Sequence, residues 1–228
     1  MLGIAGSVGA FAGNALHPQV PAGAAAAVET IGTSRVWTPV HLLVAVSILL
    51  MTVGLVAVAD RLSSGAAAGL ARGGAVAAVA GVVVGLVLMA VDGVLARTAA
   101  EQALEHGDQV SVALVGFTES ASLALVALFN IVFGGVTFVL LGLAATLDGR
   151  VPRWPGAVLT AVGAVSIGVG AVQAVLGTTP PALEVMTIIT PVLFTVWTAW
   201  MCALLARRTG ADGPPVGPPP RPVMLDER

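Results

Sequence analysis

The chain has 228 residues, of which 57% are hydrophobic and only 10% are charged, and its mean hydropathy is +0.99. Because a soluble globular domain carries about 25% charged residues, most of this surface must face lipid rather than water. The formal net charge of −2 shows no basic excess of the kind that binds nucleic acid, so no nucleic-acid partner is expected.

Missing residue types exclude several kinds of chemistry. All ten cationic residues are arginine. Without lysine the chain can form neither a Schiff base with retinal or a pyridoxal cofactor nor a Walker A phosphate loop. Cys202 is the single cysteine, which excludes an intramolecular disulfide, a cysteine-ligated iron–sulfur cluster and a covalently attached haem. Arginine without lysine, with abundant Ala, Gly and Val, is typical of a high-GC bacterial genome, so we expect a multi-pass protein of the bacterial cytoplasmic (inner) membrane.

Six apolar stretches predict an all-α transmembrane bundle of six helices, since about 20 apolar residues suffice to cross a bilayer core. The longest stretch contains no charged residue, and Asn130 lies near its middle. The predicted helices occupy about 1–16, 39–59, 74–95, 120–147, 156–176 and 183–205. They form one domain over residues 1–208, followed by a Pro- and Gly-rich cytoplasmic tail over 209–228 that is expected to be disordered.

Three segments have a less direct interpretation. Residues 1–16 would rise only about 24 Å as a helix, so they are either a short first transmembrane helix or a degenerate signal peptide; the absence of a basic flank favours the helix. Residues 18–38 and 96–118 are expected to be loops between helices. In the second loop three carboxylates recur at positions i, i+4 and i+7, which would share one face of a helix: Glu101, Glu105 and Asp108.

The arginines predict the orientation of the bundle, because short cytoplasmic loops carry an excess of basic residues. Two arginines, Arg35 and Arg97, fall in the connections after the first and third predicted helices. The other eight fall in the connections after the second and fourth helices or in the tail: Arg61, Arg72, Arg150, Arg153, Arg207, Arg208, Arg221 and Arg228. Both termini are therefore predicted to be cytoplasmic.

Glycines spaced four residues apart predict close helix packing. Gly65, Gly69 and Gly73 are followed by Gly81 and Gly85 at the same interval. In lipid such faces bring helices together through van der Waals contact. Besides the lipid bilayer, the expected partners are therefore other membrane subunits or further copies of this chain.

Polar residues gather at one predicted depth, near the outer ends of the helices. Ionisable groups close to hydrocarbon are costly, so they usually face a cavity or one another. The residues at this depth are Asn14, His17, His41, Asp92, Glu119 and Glu184, with Asn130 deeper in the membrane. They are the candidate pocket residues, and no catalytic motif links them.

Two chemistries are open to this pocket. Two histidines with carboxylates suit a divalent metal, with His17 and His41 as the candidate ligands, and the histidine pair alone suits a haem iron. The alternative is that polar helix ends simply lie among headgroups and water. Asp92 either serves the pocket or pairs with Arg97 or with water at the interface. Asn130 either lines a substrate path or hydrogen-bonds a neighbouring helix. The sequence leaves the cofactor unknown.

Short motifs resemble a known group of proteins. The first helix ends in Gly-Asn-x-x-His-Pro at Gly13 to Pro18, the second opens with Trp-x-x-x-His at Trp37 to His41, and Pro-Arg-Trp at 152–154 precedes the fifth. Over most of residues 1–205 the chain is similar to a family of uncharacterised actinobacterial integral membrane proteins. The resemblance implies a six-helix fold and no particular activity. Alkaline-ceramidase-type hydrolases are a weaker resemblance, because the histidine pair of their late helices is missing here.

Three functions are compatible with these observations. The first is binding or transport of a small or lipid-like molecule through the outward-facing polar pocket. The second is a metal- or haem-dependent membrane enzyme that uses His17, His41 and the carboxylates. The third is an accessory subunit of a membrane complex, held by its glycine faces.

Overall fold

The computed structural model describes residues 1–211 except 22, 63, 64 and 150, and every regular element within this part is helical. The side chains of Glu184 and of residues 208–211 lie outside the description, as does the predicted tail from residue 212 onward. The helices are α1 (Leu2–Leu16), α2 (Ala24–Thr33), α3 (Trp37–Arg61), α4 (Ala67–His106), α5 (Gln109–Asp148), α6 (Arg153–Leu176) and α7 (Pro181–Ala211).

Five helices, α3 to α7, are long and apolar enough to cross a membrane. The chain is thus all-helical and has the composition of a multi-pass membrane protein. Helix α1 is apolar but has 15 residues, a rise of about 22 Å against about 30 Å of hydrocarbon. A sixth crossing by α1 therefore stays a prediction.

Helix α1 packs antiparallel along α3 through its glycines. The Cα of Gly3 lies against Gly54, and Gly6 faces the backbone between Ser47 and Met51, where a Cβ would clash. Small residues let the two backbones approach this closely. The same alignment carries the end of α1 to the start of α3, and so brings His17 to His41.

Helices α4 and α5 are longer than the sequence predicted. Each has 40 residues, a length of about 60 Å, twice the hydrocarbon thickness. The predicted bounds 74–95 and 120–147 are too narrow, and the expected loop over 96–118 is helical except near Gly107, which turns with φ 64°. Hydropathy falls where a helix leaves lipid, whereas the helix itself ends only where its backbone is broken.

Asp108 begins α5 as its N-cap. Its side chain accepts a hydrogen bond from the backbone amide of Ser111 at 2.8 Å, and a second from the Ser111 hydroxyl. These bonds stabilise the ionised form and hold the pKa of the Asp108 carboxyl below its usual value. Of the three carboxylates predicted to share a face, this one therefore serves to start a helix.

A small cap lies beyond the apolar part of the bundle. It consists of α2, the Ala96–His106 end of α4 and the first turns of α5, and α2 falls within the expected loop 18–38. The Arg97 guanidinium donates to the carbonyls of Ile31 (2.6 Å) and Ser34 at the end of α2, and its Nε donates to Glu101 at 2.6 Å. The apolar centre of the cap is formed by Ala27, Val28, Ile31, Trp37, Ala96, Ala99, Ala100, Ala103 and Val115.

The main core lies between α3, α4, α5, α6 and α7 and includes stacked aromatic rings. The rings of Phe138 and Phe194 lie parallel with centroids 4.1 Å apart, and those of Phe129 and Phe133 with centroids 4.8 Å apart. Trp197 packs edge-on against Phe138. These rings tie α7 to the middle of α5.

Most of the glycines that predicted close packing are used inside the chain. A Cβ at Gly81 would meet the backbone of Phe133 at 2.8 Å, and one at Gly85 would meet the Phe129 ring. A Cβ added at Gly69, in contrast, would meet no atom of another helix within 4 Å among the described residues. Since intramolecular contacts account for most of this spacing, it does not by itself indicate a partner surface.

Two long helices each contain a π-helical segment, Val91–Leu95 in α4 and Asn130–Thr137 in α5. A π segment adds a residue to the turn and frees backbone carbonyls, and it often occurs at functional sites. Each segment carries one of the predicted pocket residues, Asp92 or Asn130.

The two ends of the bundle differ in character. Met1, Arg61 and Ala206 line one recess, so the start of the chain and the end of α7 lie at the same end, which we call the arginine end. His17, His41 and the cap lie at the opposite end, which we call the site end.

Candidate metal site

Three predicted pocket residues from three helices meet at the site end. The Nε2 atoms of His17 and His41 are 3.3 Å apart, and His41 Nε2 lies 3.1 Å from Oδ2 of Asp92. Possible ligand atoms of all three residues lie within 4.8 Å of one another. His41 is 2% exposed, whereas the Asp92 side chain is 26% exposed. The cluster is therefore buried on one side and reachable on the other.

The first turn of α3 holds the π segment of α4 in place. Trp37 Nε1 donates to the backbone carbonyl of Asp92 at 2.8 Å, and the Thr38 hydroxyl donates to the carbonyl of Gly93 at 2.9 Å. A side chain at residue 93 would collide with the Cβ of His41, so only glycine permits this approach. These contacts satisfy carbonyls in the π segment and fix where the Asp92 carboxylate lies.

Backbone carbonyls determine which nitrogen of each histidine carries the proton. His41 Nδ1 lies 2.7 Å from the carbonyl of Trp37, and His17 Nδ1 lies 2.8 Å from that of Pro18. Because a carbonyl can only accept, each Nδ1 must be the N–H donor. In the neutral rings both Nε2 atoms then present lone pairs, toward each other and, in His41, toward a carboxylate oxygen. Converging acceptors of this kind need a cation, either a proton or a metal ion.

The spacing of these acceptors suits a small metal ion. With metal–nitrogen bonds of about 2.05 Å and a metal–oxygen bond of about 2.0 Å, the 3.3 Å and 3.1 Å separations correspond to angles of about 107° and about 100°. Both are close to the tetrahedral angle that zinc prefers. For the third pair, His17 and Asp92, the ligand atoms lie within 4.8 Å, and both bind one ion once their separation is about 4 Å or less. A Nδ1–H donated to a backbone carbonyl is also the usual way in which a zinc-bound histidine is oriented.

The haem alternative does not fit this geometry. Two histidines on opposite sides of one iron would hold their nitrogens about 4 Å apart, twice the length of a metal–imidazole bond. The imidazoles of His17 and His41 instead meet edge to face with centroids 4.9 Å apart. That arrangement suits two neighbouring ligands of a single ion.

Trp37 packs against both imidazoles. Its ring centroid lies 5.0 Å from that of His17 and 4.9 Å from that of His41, and the residue is 1% exposed. The indole thus restrains both rings while its Nε1 holds the backbone of Asp92.

The other predicted pocket residues take different places. Glu119 on α5 is close enough to Asp92 for the two carboxylates to interact electrostatically. Asn14 donates to the carbonyl of Ala10 in its own helix at 2.9 Å and lines the cavity described below. Arg97 contacts the end of α2 and Glu101, so the alternative that pairs it with Asp92 is not realised among the recorded contacts. The side chain of Glu184 lies outside the described residues.

Asn130 belongs to a polar network deeper in the bundle. Its amide donates to Oε1 of Gln173 at 2.9 Å, and Gln173 donates onward to Thr179 at 2.9 Å. The backbone carbonyl of Asn130 accepts from the hydroxyl of Ser166 at 2.9 Å. Asn130 therefore both bonds a neighbouring helix and lines the cavity, so the two interpretations of this residue are not exclusive.

A cavity of about 300 Å³ runs from the three-residue cluster into the bundle. Its mouth contains His17, His41 and Asp92, and Asn130 is a polar group further in. Most of the remaining wall is apolar and includes Val44, Ile48, Met89, Phe129, Phe133 and Phe194. The cluster thus has an open side that faces an apolar space.

Comparison with protein-family models, with curated proteins and with solved structures found no match. The functional argument therefore depends on the residues and the geometry described above.

Proposed function

We propose that this protein is a metal-dependent membrane enzyme of the hydrolytic type, with a zinc-like ion held by His17, His41 and Asp92. The observation that carries the proposal is the convergence of two imidazole lone pairs and a carboxylate oxygen within 4.8 Å of one another, with near-tetrahedral spacing in the two pairs that include His41. Three protein ligands with a fourth position left open are typical of catalytic rather than structural zinc sites. Here the open position would face the apolar cavity.

The chemistry follows from that open position. A zinc-bound water has a pKa near 7 and so supplies a hydroxide at neutral pH. Glu119, which interacts electrostatically with Asp92, would serve as the base that accepts the proton of that water, and the hydroxide would suit addition to the carbonyl carbon of an ester or amide. On loss of the leaving oxygen or nitrogen, Glu119 would return the proton to it. Water and substrate would thus give an acid and an alcohol or amine.

The proposal includes an orientation. We place the site end outside a bacterial cytoplasmic membrane and both termini inside, with α1 as a sixth crossing. The arginine pattern supports this, as does the position of Met1 beside Arg61 at one end of the bundle. Since α1 supplies His17, we also propose that this helix is retained in the mature protein.

The resemblance to the actinobacterial membrane family fits the same proposal. The motifs that carry it supply Asn14, His17, Trp37 and His41, and these residues build or border the metal site. We propose membership of that family on these motifs.

A second candidate function is binding or transport of a lipid-like molecule without chemistry. The apolar cavity favours it, because a cavity of this kind suits a hydrocarbon ligand whether or not a reaction follows. In that case the metal would only hold the polar head of the ligand.

One experiment separates the two candidates. Purified protein is loaded with zinc, and release of a fluorescent leaving group from a long-chain acyl ester and from the matching acyl amide is followed. Glu119→Gln should keep its zinc and lose about 100-fold or more in rate, as expected when a general base is removed. His17→Ala should lose both zinc and activity, and His106→Ala, at an exposed position in the cap, should lose neither. Stoichiometric zinc without hydrolysis of either probe would favour the second function; protein that retains no zinc would overturn the metal site.

A further inference from the structure

The metal-site cavity has a neighbouring groove on the side of the bundle. A groove of about 370 Å³ lies between α1 and α7, next to the cavity. The two spaces share five lining residues: Asn14, His17, Thr187, Pro191 and Thr195. The groove therefore leads directly to a metal ligand, His17.

The outer edge of this groove faces lipid. Phe11 on α1 is 53% exposed and Ile188 on α7 is 67% exposed, both within apolar helices. Pro191 removes one backbone donor from α7 and disturbs the preceding turn, which is the usual cause of a helix kink. The residue lines both the groove and the cavity, so the disturbed turn of α7 lies at the boundary between them.

The cap adjoins the site from the opposite side. Trp37 belongs to the apolar centre of the cap and also packs against both histidine rings. A bulky apolar molecule thus meets a packed cluster at the cap and an open groove at the bilayer. A route past the cap would expose a hydrocarbon chain to water. The lateral route through the groove would keep the chain in the bilayer.

We propose that the ligand of the metal site is a single-chain amphiphile that enters from the bilayer between α1 and α7. Its oxygen-bearing head occupies the open position of the metal, and its chain lies in the apolar cavity along Met89, Val126 and Phe129. A volume of about 300 Å³ is at the lower end of ligand pockets, which span about 300–1,000 Å³, and it suits one chain rather than two. The inference rests on the proposed metal site and adds the substrate class and its route.

A pair of hydroxamates tests the idea, because a hydroxamate head ligates the metal whatever its tail. Protein in nanodiscs of fixed lipid composition is loaded with Co²⁺ in place of zinc, and its visible absorption reports each new ligand. Dodecanohydroxamate carries a long chain, and acetohydroxamate carries none. The ratio of their dissociation constants is compared between variants, so that partition of the long probe into the bilayer cancels.

Two cavity substitutions have lipid-facing controls on the same helices. Met89→Trp on α4 and Val126→Trp on α5 fill the cavity, whereas Val87→Trp and Leu128→Trp add the same ring at positions 46% and 48% exposed. Overpacking should weaken dodecanohydroxamate binding by about tenfold to a hundredfold in the cavity variants. Acetohydroxamate binding should not change in any of the four.

The route is tested at the groove. Ala15→Trp places a ring in the groove, and Leu16→Trp places one at the neighbouring position, which is 63% exposed and lies outside the groove lining. Association of dodecanohydroxamate should slow at least about tenfold in Ala15→Trp and stay unchanged in Leu16→Trp.

Each outcome decides one of the two proposals. If the protein binds Co²⁺ but the ratio of the two hydroxamate dissociation constants is the same in all variants, the amphiphile proposal is overturned and the metal site stands. Protein that binds no Co²⁺ would overturn the metal site itself. If one cavity variant fails to fold, the other pair carries the comparison on a different helix.

Discussion

The two π-helical segments use the same backbone irregularity for different purposes. In Val91–Leu95 the backbone carbonyls accept from side chains of α3, and the segment presents an ionisable group, Asp92, to two histidines. In Asn130–Thr137 the carbonyl of Asn130 accepts from Ser166 on α6, and glycines admit close neighbours. The first segment positions charge, and the second shapes the cavity wall and the core.

The difference lies in what surrounds each segment. The partners of the first segment are aromatic and polar groups at the site end, close to the region where water can reach a carboxylate. The partners of the second lie between helices, where an amide network and aromatic stacking fill the space. Substitutions at the first segment should therefore change metal binding, and substitutions at the second should change stability.

The largest effect is expected at the first segment, from loss of a metal ligand. His41→Ala removes one of the three proposed ligands and should lower zinc affinity by more than about 100-fold, since even outer partners of metal ligands contribute about 10–100-fold. Competition with a chromophoric chelator measures this. The matched control is His106→Ala, whose ring bonds only its own helix at Gln102; equal losses in the two variants would contradict the site.

A side chain added against the second segment should destabilise the fold. In Gly81→Ala the added methyl would meet the backbone of Phe133 at 2.8 Å, so the free energy of unfolding should fall by about 1–3 kcal/mol. Denaturation in mixed micelles measures it. In Gly69→Ala, on the same helix, the added methyl would meet no atom of another helix within 4 Å among the described residues. This variant should be neutral or stabilising by up to about 1 kcal/mol. A Gly81→Ala protein as stable as Gly69→Ala would mean that the helices do not meet there.

Loss of a side chain that supports the first segment should lower zinc affinity less than loss of a proposed ligand. Trp37→Phe keeps an aromatic ring but removes the donor to the Asp92 carbonyl, so zinc affinity should fall about tenfold. The same chelator competition applies. Trp154→Phe, at a position 69% exposed near the arginine end, serves as control and should leave affinity unchanged. No change in Trp37→Phe would show that Asp92 needs no help from α3.

The smallest effect is expected from the polar bond at the second segment. Ser166→Ala removes one hydrogen bond to the Asn130 carbonyl and should destabilise the fold by about 0.6 kcal/mol, the mean for interhelical bonds in lipid. Ser120→Ala, whose hydroxyl bonds only its own helix at Gly116, should cost less. Unfolding in mixed micelles compares the pair, and a loss of zinc from Ser166→Ala would argue that the two segments are coupled.

Hydropathy was enough to locate the membrane parts of the helices, but not their ends. The apolar residues of 120–147 were recognisable, whereas the helix begins at Gln109, because a charged side chain such as Glu119 interrupts an apolar run without breaking the helical backbone. The predicted loop 96–118 failed for this reason. Neither π segment has a sequence pattern that predicts it, since each depends on what packs against the helix.

Topology was enough to group three residues that the structure brings close together, but not to assign their contacts. Placing helix ends at one depth grouped His17, His41 and Asp92, and possible ligand atoms of these three lie within 4.8 Å of one another. The roles of Trp37, Thr38 and Ser166 were missed. Trp37 was visible only as an aromatic residue at the membrane interface, and a threonine or serine in an apolar helix resembles ordinary packing until its partner is known.

X-ray absorption spectroscopy of zinc bound to the wild-type protein tests the central claim most directly. The metal site predicts two imidazole nitrogens at about 2.0–2.1 Å and one or two oxygens at about 2.0–2.2 Å in a four-coordinate shell. The three-residue site would be contradicted by a shell that contains sulfur from Cys202 or no imidazole, or by a wild-type protein that retains no stoichiometric zinc.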